Sequence, residues 1–221
     1  MNRIYFDNAA TTPIHPEVIE AMASAMRDNY GNPSSIHSEG RTSRAMIEQA
    51  RKTVAHYLGA SIGEIFFTSC GTESSNMALK CAVRDLGIQR IISSPIEHHC
   101  VLHTVKELEK TEKIEVEHVE VDGQGHVNPA HLRKLLEKNS KQTLVSLMHA
   151  NNEIGTMIDL DEISTICAEF GVLFHTDTVQ TIGYYPIDVS KTRISFLTGS
   201  AHNFNGPQGV EYIYINSDKL I

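Results

Sequence analysis

The sequence predicts an α/β fold, a mostly parallel sheet with helices on both faces, and three observations predict it. Short apolar runs alternate along the chain with amphipathic stretches at helical spacing, an order that yields right-handed crossovers between parallel strands. Runs such as Thr143-Leu144-Val145-Ser146-Leu147-Met148 are buried-type strands. The chemistry-bearing residues come just after strands: Asp177 follows Gly171-Val172-Leu173-Phe174, and Ser200, His202 and Asn203 follow Ile194-Ser195-Phe196-Leu197. Open α/β sheets keep their ligands at that end of the strands.

Each element has a local reason. Ile4-Tyr5-Phe6 is a short apolar segment entering Asp7-Asn8-Ala9-Ala10-Thr11-Thr12-Pro13, whose small side chains suit close backbone packing. Pro16 opens a helix over Glu17 to Met26 with an acid in its first turn. Gly31-Asn32-Pro33-Ser34-Ser35 breaks the chain, and Arg41 to Leu58 reads as one long amphipathic helix. Glu64 to Thr68 is a strand, followed by the turn Ser69-Cys70-Gly71-Thr72-Glu73 and a helix from about Ser74 to Leu86. A glycine-containing turn that opens a helix leaves backbone N–H groups free at the positive end of the dipole, which is an anion site. The spacing does not name the anion.

Arg90 to Ser94 is the next strand, and Glu97-His98-His99 starts a helix running through Leu108. Ile114 to Val121 alternates with period two, as a half-exposed strand does. Asn128 caps a helix that begins at Pro129 and runs through Leu136, and another helix spans Asp161 to Phe170. Gly206-Pro207-Gln208-Gly209 turns the chain into a last strand, Glu211 to Ile215.

Composition narrows the function. A length of 221 residues suits one substantial α/β domain, or a domain with a fragment of another. The formal charge of −8 excludes a general nucleic-acid or anionic-membrane surface, either of which needs clustered Lys and Arg. No apolar run approaches the roughly 18 residues of a membrane span, and the start lacks a signal-peptide core, so a cytosolic (cytoplasmic) protein is expected. Cys70, Cys81, Cys100 and Cys167 show neither CxxC pairing nor metal-ligand spacing. The 12 histidines are mostly scattered singly, and no metal site is expected.

Several stretches carry a family resemblance in the right order: Asp7 to Pro13 (DNAATTP), Gly31 to Ser35 with His37 and Gly40, Ser69 to Glu73, Glu97-His98, Asn151 to Gly155 (NNEIG), and Asp177 with Gln180. Together with Ser200-Ala201-His202 they resemble the cysteine desulfurases, the class V branch of the aminotransferase-like enzymes that depend on pyridoxal phosphate (PLP, fold type I). The resemblance implies that Gly71, Thr72, Ser200 and His202 hold the PLP phosphate. It implies that His98 lies over the pyridine ring, that Asn152 and Gln180 reach its phenolic oxygen, and that Asp177 pairs with its nitrogen. A carboxylate at that nitrogen keeps the ring able to accept electrons.

The same resemblance exposes departures. The family has a lysine at the position of Asn203, where it anchors PLP, speeds exchange to the substrate and moves protons at the α-carbon. An amide nitrogen is delocalised and forms no stable imine, and losing such a group typically costs on the order of 10⁴ to 10⁶ in rate. Gln208 also stands where the family usually has lysine. The family's sulfur-accepting cysteine belongs to a mobile loop of the C-terminal region, and none of the four cysteines lies in that motif. Cys70 and Cys100 neighbour cofactor-facing residues; a substitute nucleophile is conceivable, but buried packing cysteines are expected. Also absent is the threonine with which the opposite subunit completes the phosphate site.

The expectation is therefore an N-terminal arm (1–15) and an incomplete PLP-binding large domain (16–221), with the C-terminal small domain missing. The family reaction converts L-cysteine to L-alanine and passes sulfur to an enzyme cysteine for iron-sulfur cluster or thiocofactor assembly. Here that activity is expected to be absent or strongly impaired, with PLP held noncovalently if at all. The implied partners are cysteine, a second copy of the chain as a homodimer, and a sulfur-acceptor or iron-sulfur scaffold protein. The alternative is a non-catalytic PLP-binding or scaffold protein; a PLP-dependent lyase or transaminase is weakened equally by the missing lysine.

Overall fold

The computed structural model describes residues 4–219. Its helices are α1 (Pro16–Asp28), α2 (Ser38–Leu58), α3 (Gly71–Arg84), α4 (His99–Thr111), α5 (Pro129–Lys138) and α6 (Leu160–Glu169). The strands are β1 (Ile65–Thr68), β2 (Arg90–Ser93), β3 (Glu115–His118), β4 (Thr143–Ser146), β5 (Leu173–Asp177), β6 (Phe196–Ser200) and β7 (Glu211–Ile215). They form one sheet of seven strands in the order β1-β7-β6-β5-β4-β2-β3. All pairings are parallel except those of β7, which runs antiparallel to both β1 and β6. The α/β class and the mostly parallel sheet expected from the sequence are both present.

Alternation along the strands divides the core. Ile92, Val145, Phe174, Leu197, Tyr212 and Tyr214 pack on one face with α5, α6 and the end of α2. Their neighbours Ile91, Leu144, Phe196 and Ile213 pack on the other with α3 and α4. Side chains such as Leu79, Leu144 and Phe174 are fully buried, each contributing about 1.5–3 kcal/mol of transfer free energy. Helix ends are fixed locally. The Asp159 carboxylate accepts from the Asp161 and Glu162 N–H groups at the start of α6, and Asn128 caps α5 as expected. Gly59 stops α2 with φ of 67°, a left-handed conformation that a side chain would strain.

Boundaries moved where a local cap or a long-range strand partner outweighed the sequence pattern. α3 starts at Gly71, three residues before the expected Ser74, so Gly71 and Thr72 are the helix's first residues. α2 starts at Ser38, ahead of Arg41, because the His37 ring accepts from the Gly40 N–H. β5 and β6 begin later than expected and run on to Asp177 and Ser200, since β4, β5 and β7 supply partners for these polar positions. β3 is shorter than expected. No residue of α1 is buried, and Ile19 and Met26 stand exposed on it. Among the described residues, no helix is long and apolar enough to cross a membrane.

Candidate functional site

Four parallel segments end at one cavity of about 280 Å³. β5 contributes Asp177 as its last residue, and the turn beyond it contributes Val179 and Gln180. The turn after β6 contributes His202 and Asn203, the start of α3 contributes Gly71 and Thr72, and the start of α4 contributes His98 and Cys100. Met148, Asn152, Cys70, Ala9, Ala10 and Glu211 complete the lining. Every site residue expected from the sequence lines this cavity except Ser200. Ser200 lies one layer behind, donating its hydroxyl to Glu211 Oε1 at 2.6 Å.

The floor is an acid cut off from water. Asp177 is 7 % exposed, and burial raises its pKa above the usual carboxylate range. The Val179 N–H donates to its Oδ1 at 3.0 Å and the nearby His98 ring pulls the same way, both opposing burial. Behind it His175 is fully buried between Ser146 (2.9 Å) and Thr198 (3.4 Å), and burial lowers its pKa to about 4. This histidine therefore stays neutral. Glu97 packs beside the floor and accepts from Ser94 Oγ (2.6 Å) and the Met148 N–H (2.9 Å). Burial raises its pKa to about 8, with the charge of Asp177 adding to the effect.

The N-terminal segment closes one side. The Thr12 N–H and hydroxyl both donate to the His202 carbonyl (2.9 and 2.8 Å), and the Asn205 N–H donates to Thr12 Oγ1 (2.7 Å). Asn203, 2 % exposed, donates from its amide nitrogen to the Ala9 carbonyl at 3.1 Å; Gln180 donates to the same oxygen at 2.9 Å. Both amides thus brace the segment against the loop after β6. The Asn203 Oδ1 is buried without a partner.

The histidine and the cysteines need separate treatment. His98 is exposed and caps α4, its Nδ1 accepting from the Cys100 N–H at 3.2 Å. Cys100 is half-buried, and burial followed by the charge of Asp177 pushes its thiol up to about 12. A thiol held protonated in this way is a poor nucleophile. Cys70 is exposed at the α3 N-cap, which corrects the expectation of a buried packing residue: α3 begins one residue later, so its side chain lies on the rim.

Sequence reasoning missed Glu211. It is the first residue of β7, 3 % exposed, and its Oε1 lies 3.6 Å from His202 Nε2. Its Oε2 rests against Gly71, whose N–H faces the carboxylate without closing a full hydrogen bond, and the buried Nδ1 of His202 also lacks a partner. Burial first, then Asp177, raises its pKa to about 7, while Ser200 and the Gly71 N–H oppose the rise. The position shares a sheet face with Ile213, which could have marked it as inward; a charge at a strand start reads instead as solvent-facing.

Comparison with known proteins identifies the family and the fold. Residues 4–220 match the family described as aminotransferase class-V. The chain is 47 % identical over 220 residues to the cysteine desulfurase IscS of Dictyoglomus turgidum, covering 99 % of this chain and 55 % of that protein. It is 49 % identical over 215 residues to the IscS of Methanosarcina thermophila, covering 96 % and 52 %. A solved NifS-like protein superposes with a TM-score of 0.94 at 41 % identity, covering all of this chain and 61 % of that one. A solved structure of SspA in complex with cysteine superposes with a TM-score of 0.91 at 34 % identity, covering 99 % of this chain and 64 % of that one. The chain spans about half the length of the curated relatives it matches. With the residues that line its cavity and these likenesses together, the chain belongs to the aminotransferase class-V family, among its IscS and NifS cysteine desulfurase homologues.

Proposed function

We propose that this chain keeps the large-domain scaffold of a cysteine desulfurase without running the desulfurase reaction. One observation carries the reading: Asn203 stands where the family resemblance puts the PLP lysine, with its amide committed to the Ala9 carbonyl, and no lining residue of the cavity is a lysine. When bound in such enzymes, PLP supplies an electron sink for bonds at the amino-acid α-carbon. The floor of this cavity suits a pyridine ring, with a buried acid at Asp177 and His98 at the mouth. The opposite end does not suit a phosphate, because the Glu211 carboxylate lies against Gly71 and Ser200. The residues present therefore do not fit the phosphorylated coenzyme, and any pyridine the pocket retains is held noncovalently.

A scaffold or partner-binding role follows as the working function. The exposed apolar side chains of α1 and of the segment before α2, Ile19, Met26, Tyr30 and Ile36, support association with a second copy of the chain or with a sulfur-acceptor or iron-sulfur scaffold protein. The setting is cytosolic, where free thiols such as Cys70 persist. The test is sulfide release from L-cysteine with PLP supplied, alongside borohydride reduction and mass analysis. The expected result is no sulfide above the protein-free control and no reduced pyridoxyl adduct in the cavity. Steady turnover by the native chain would sink the proposal.

A further inference from the structure

The start of α3 is an anion seat by construction. Cys70 provides no side-chain cap and Gly71 has no Cβ, so the first N–H groups of the helix are open to the cavity, with the Gly71 N–H turned toward Glu211. The Ser200 hydroxyl and the His202 ring lie on the far side. What fills the seat is the Glu211 carboxylate. β7 runs against its neighbours, so its first residue, and not its last, sits at the carboxyl edge of the sheet.

Three buried atoms at this end lack partners: Glu211 Oε2, Asn203 Oδ1 and His202 Nδ1. Asn203 Oδ1 is an acceptor only, and Glu211 Oε2 is one whenever the acid is ionised. Buried acceptors without donors are costly, so this end of the pocket calls for a ligand group that donates hydrogen bonds. A phosphate dianion is all acceptor, and it would meet a carboxylate of its own sign.

We infer that Glu211 is an internal replacement for a ligand phosphate, and that it sets the pocket's specificity toward an unphosphorylated pyridine whose hydroxymethyl or aminomethyl group donates to Glu211 and Asn203. This rests on the family reading for the pyridine and on the geometry for the rest. Sulfide release has no bearing on it, so the two ideas fail separately.

The probes are pyridoxamine and pyridoxamine 5′-phosphate, which differ only in the phosphate and carry no aldehyde to react with surface lysines. Each is titrated by calorimetry against the wild type, Glu211→Ala and Glu211→Gln, with circular dichroism confirming that each variant is folded. The wild type is expected to bind pyridoxamine at least tenfold more tightly than its phosphate ester. Glu211→Ala should gain at least tenfold for the ester, and inorganic phosphate should raise the melting temperature of that variant alone. Glu211→Gln, which removes the charge and keeps the bulk, should show a smaller gain, and it carries the test if the alanine variant does not fold. A wild type that prefers the ester, equal shifts for both ligands, or a folded variant with no gain for the ester or for phosphate would overturn the role of Glu211. A wild type that binds no pyridoxamine would overturn the ligand assignment.

Discussion

Glu97 and Glu211 are two buried glutamates that both feel the charge of Asp177, and they differ in how completely they are satisfied. Glu97 accepts from Ser94 and from the Met148 N–H, and neither of its oxygens is left alone. Glu211 has one oxygen bonded to Ser200 and the other without a partner at the cavity wall. Both acids have raised pKa values for the same first cause, burial. The difference teaches that a fully bonded buried acid ties loops together, whereas a half-bonded one faces a place where something else could bind.

The largest effect expected from this contrast is at Glu97. Replacing it by alanine removes the acceptor of the Met148 N–H, strands Ser94 and opens a hole, for a loss of about 3 kcal/mol measured by urea unfolding. A loss below about 1 kcal/mol would show that water or a shifted loop repairs the site and that the contrast is overstated.

Next comes the pH dependence. Both acids hold their proton more tightly in the native state than in the unfolded chain. Their contribution is intact below the ordinary carboxylate pKa and is lost as pH rises to about 7 for Glu211 and about 8 for Glu97. Glu211→Gln keeps an acceptor for Ser200 and cannot ionise, so it should stabilise the fold by about 2 kcal/mol at pH 8 and by little at pH 4.5. Unfolding curves across that range decide it; a gain that does not change with pH would mean packing and not charge.

The smallest effect is the coupling between corners. Asp177 raises the pKa of both glutamates. Asp177→Asn should therefore make the alkaline loss of stability smaller and end it at lower pH, because each glutamate then ionises more easily and the native state is penalised less. Carboxyl NMR titration of the two side chains should show both pKa values lower in the variant. No movement in either would uncouple the corners.

Much of this was legible in the sequence, and the exceptions share a cause. Asp177, Gly71, Thr72 and Asn203 could be placed because each follows a strand or opens a helix in its own neighbourhood, and local order is what a sequence displays. Glu211 could not. Its burial requires β7 to enter between β1 and β6, and only Phe66 and Phe67 of β1, themselves about one-third exposed, hint locally that a partner comes from far along the chain. The ends of β5 and β6 were misjudged for the same reason, since Thr198 and Ser200 look like loop residues until their ladder partners are known. Cys70 was misread because α3 starts three residues earlier than its local pattern suggests, which makes Cys70 the N-cap on the rim.

The backward course of β7 also sets an order of events during synthesis. β1 leaves the ribosome early and its neighbour in the sheet leaves long after it, so this pairing closes the longest loop in the sheet and is expected to form late. Until then the mouth of α3 stands bare. A nascent chain would thus pass through a stage in which passing anions from the surrounding fluid can settle there, before the protein's own acid arrives and evicts them.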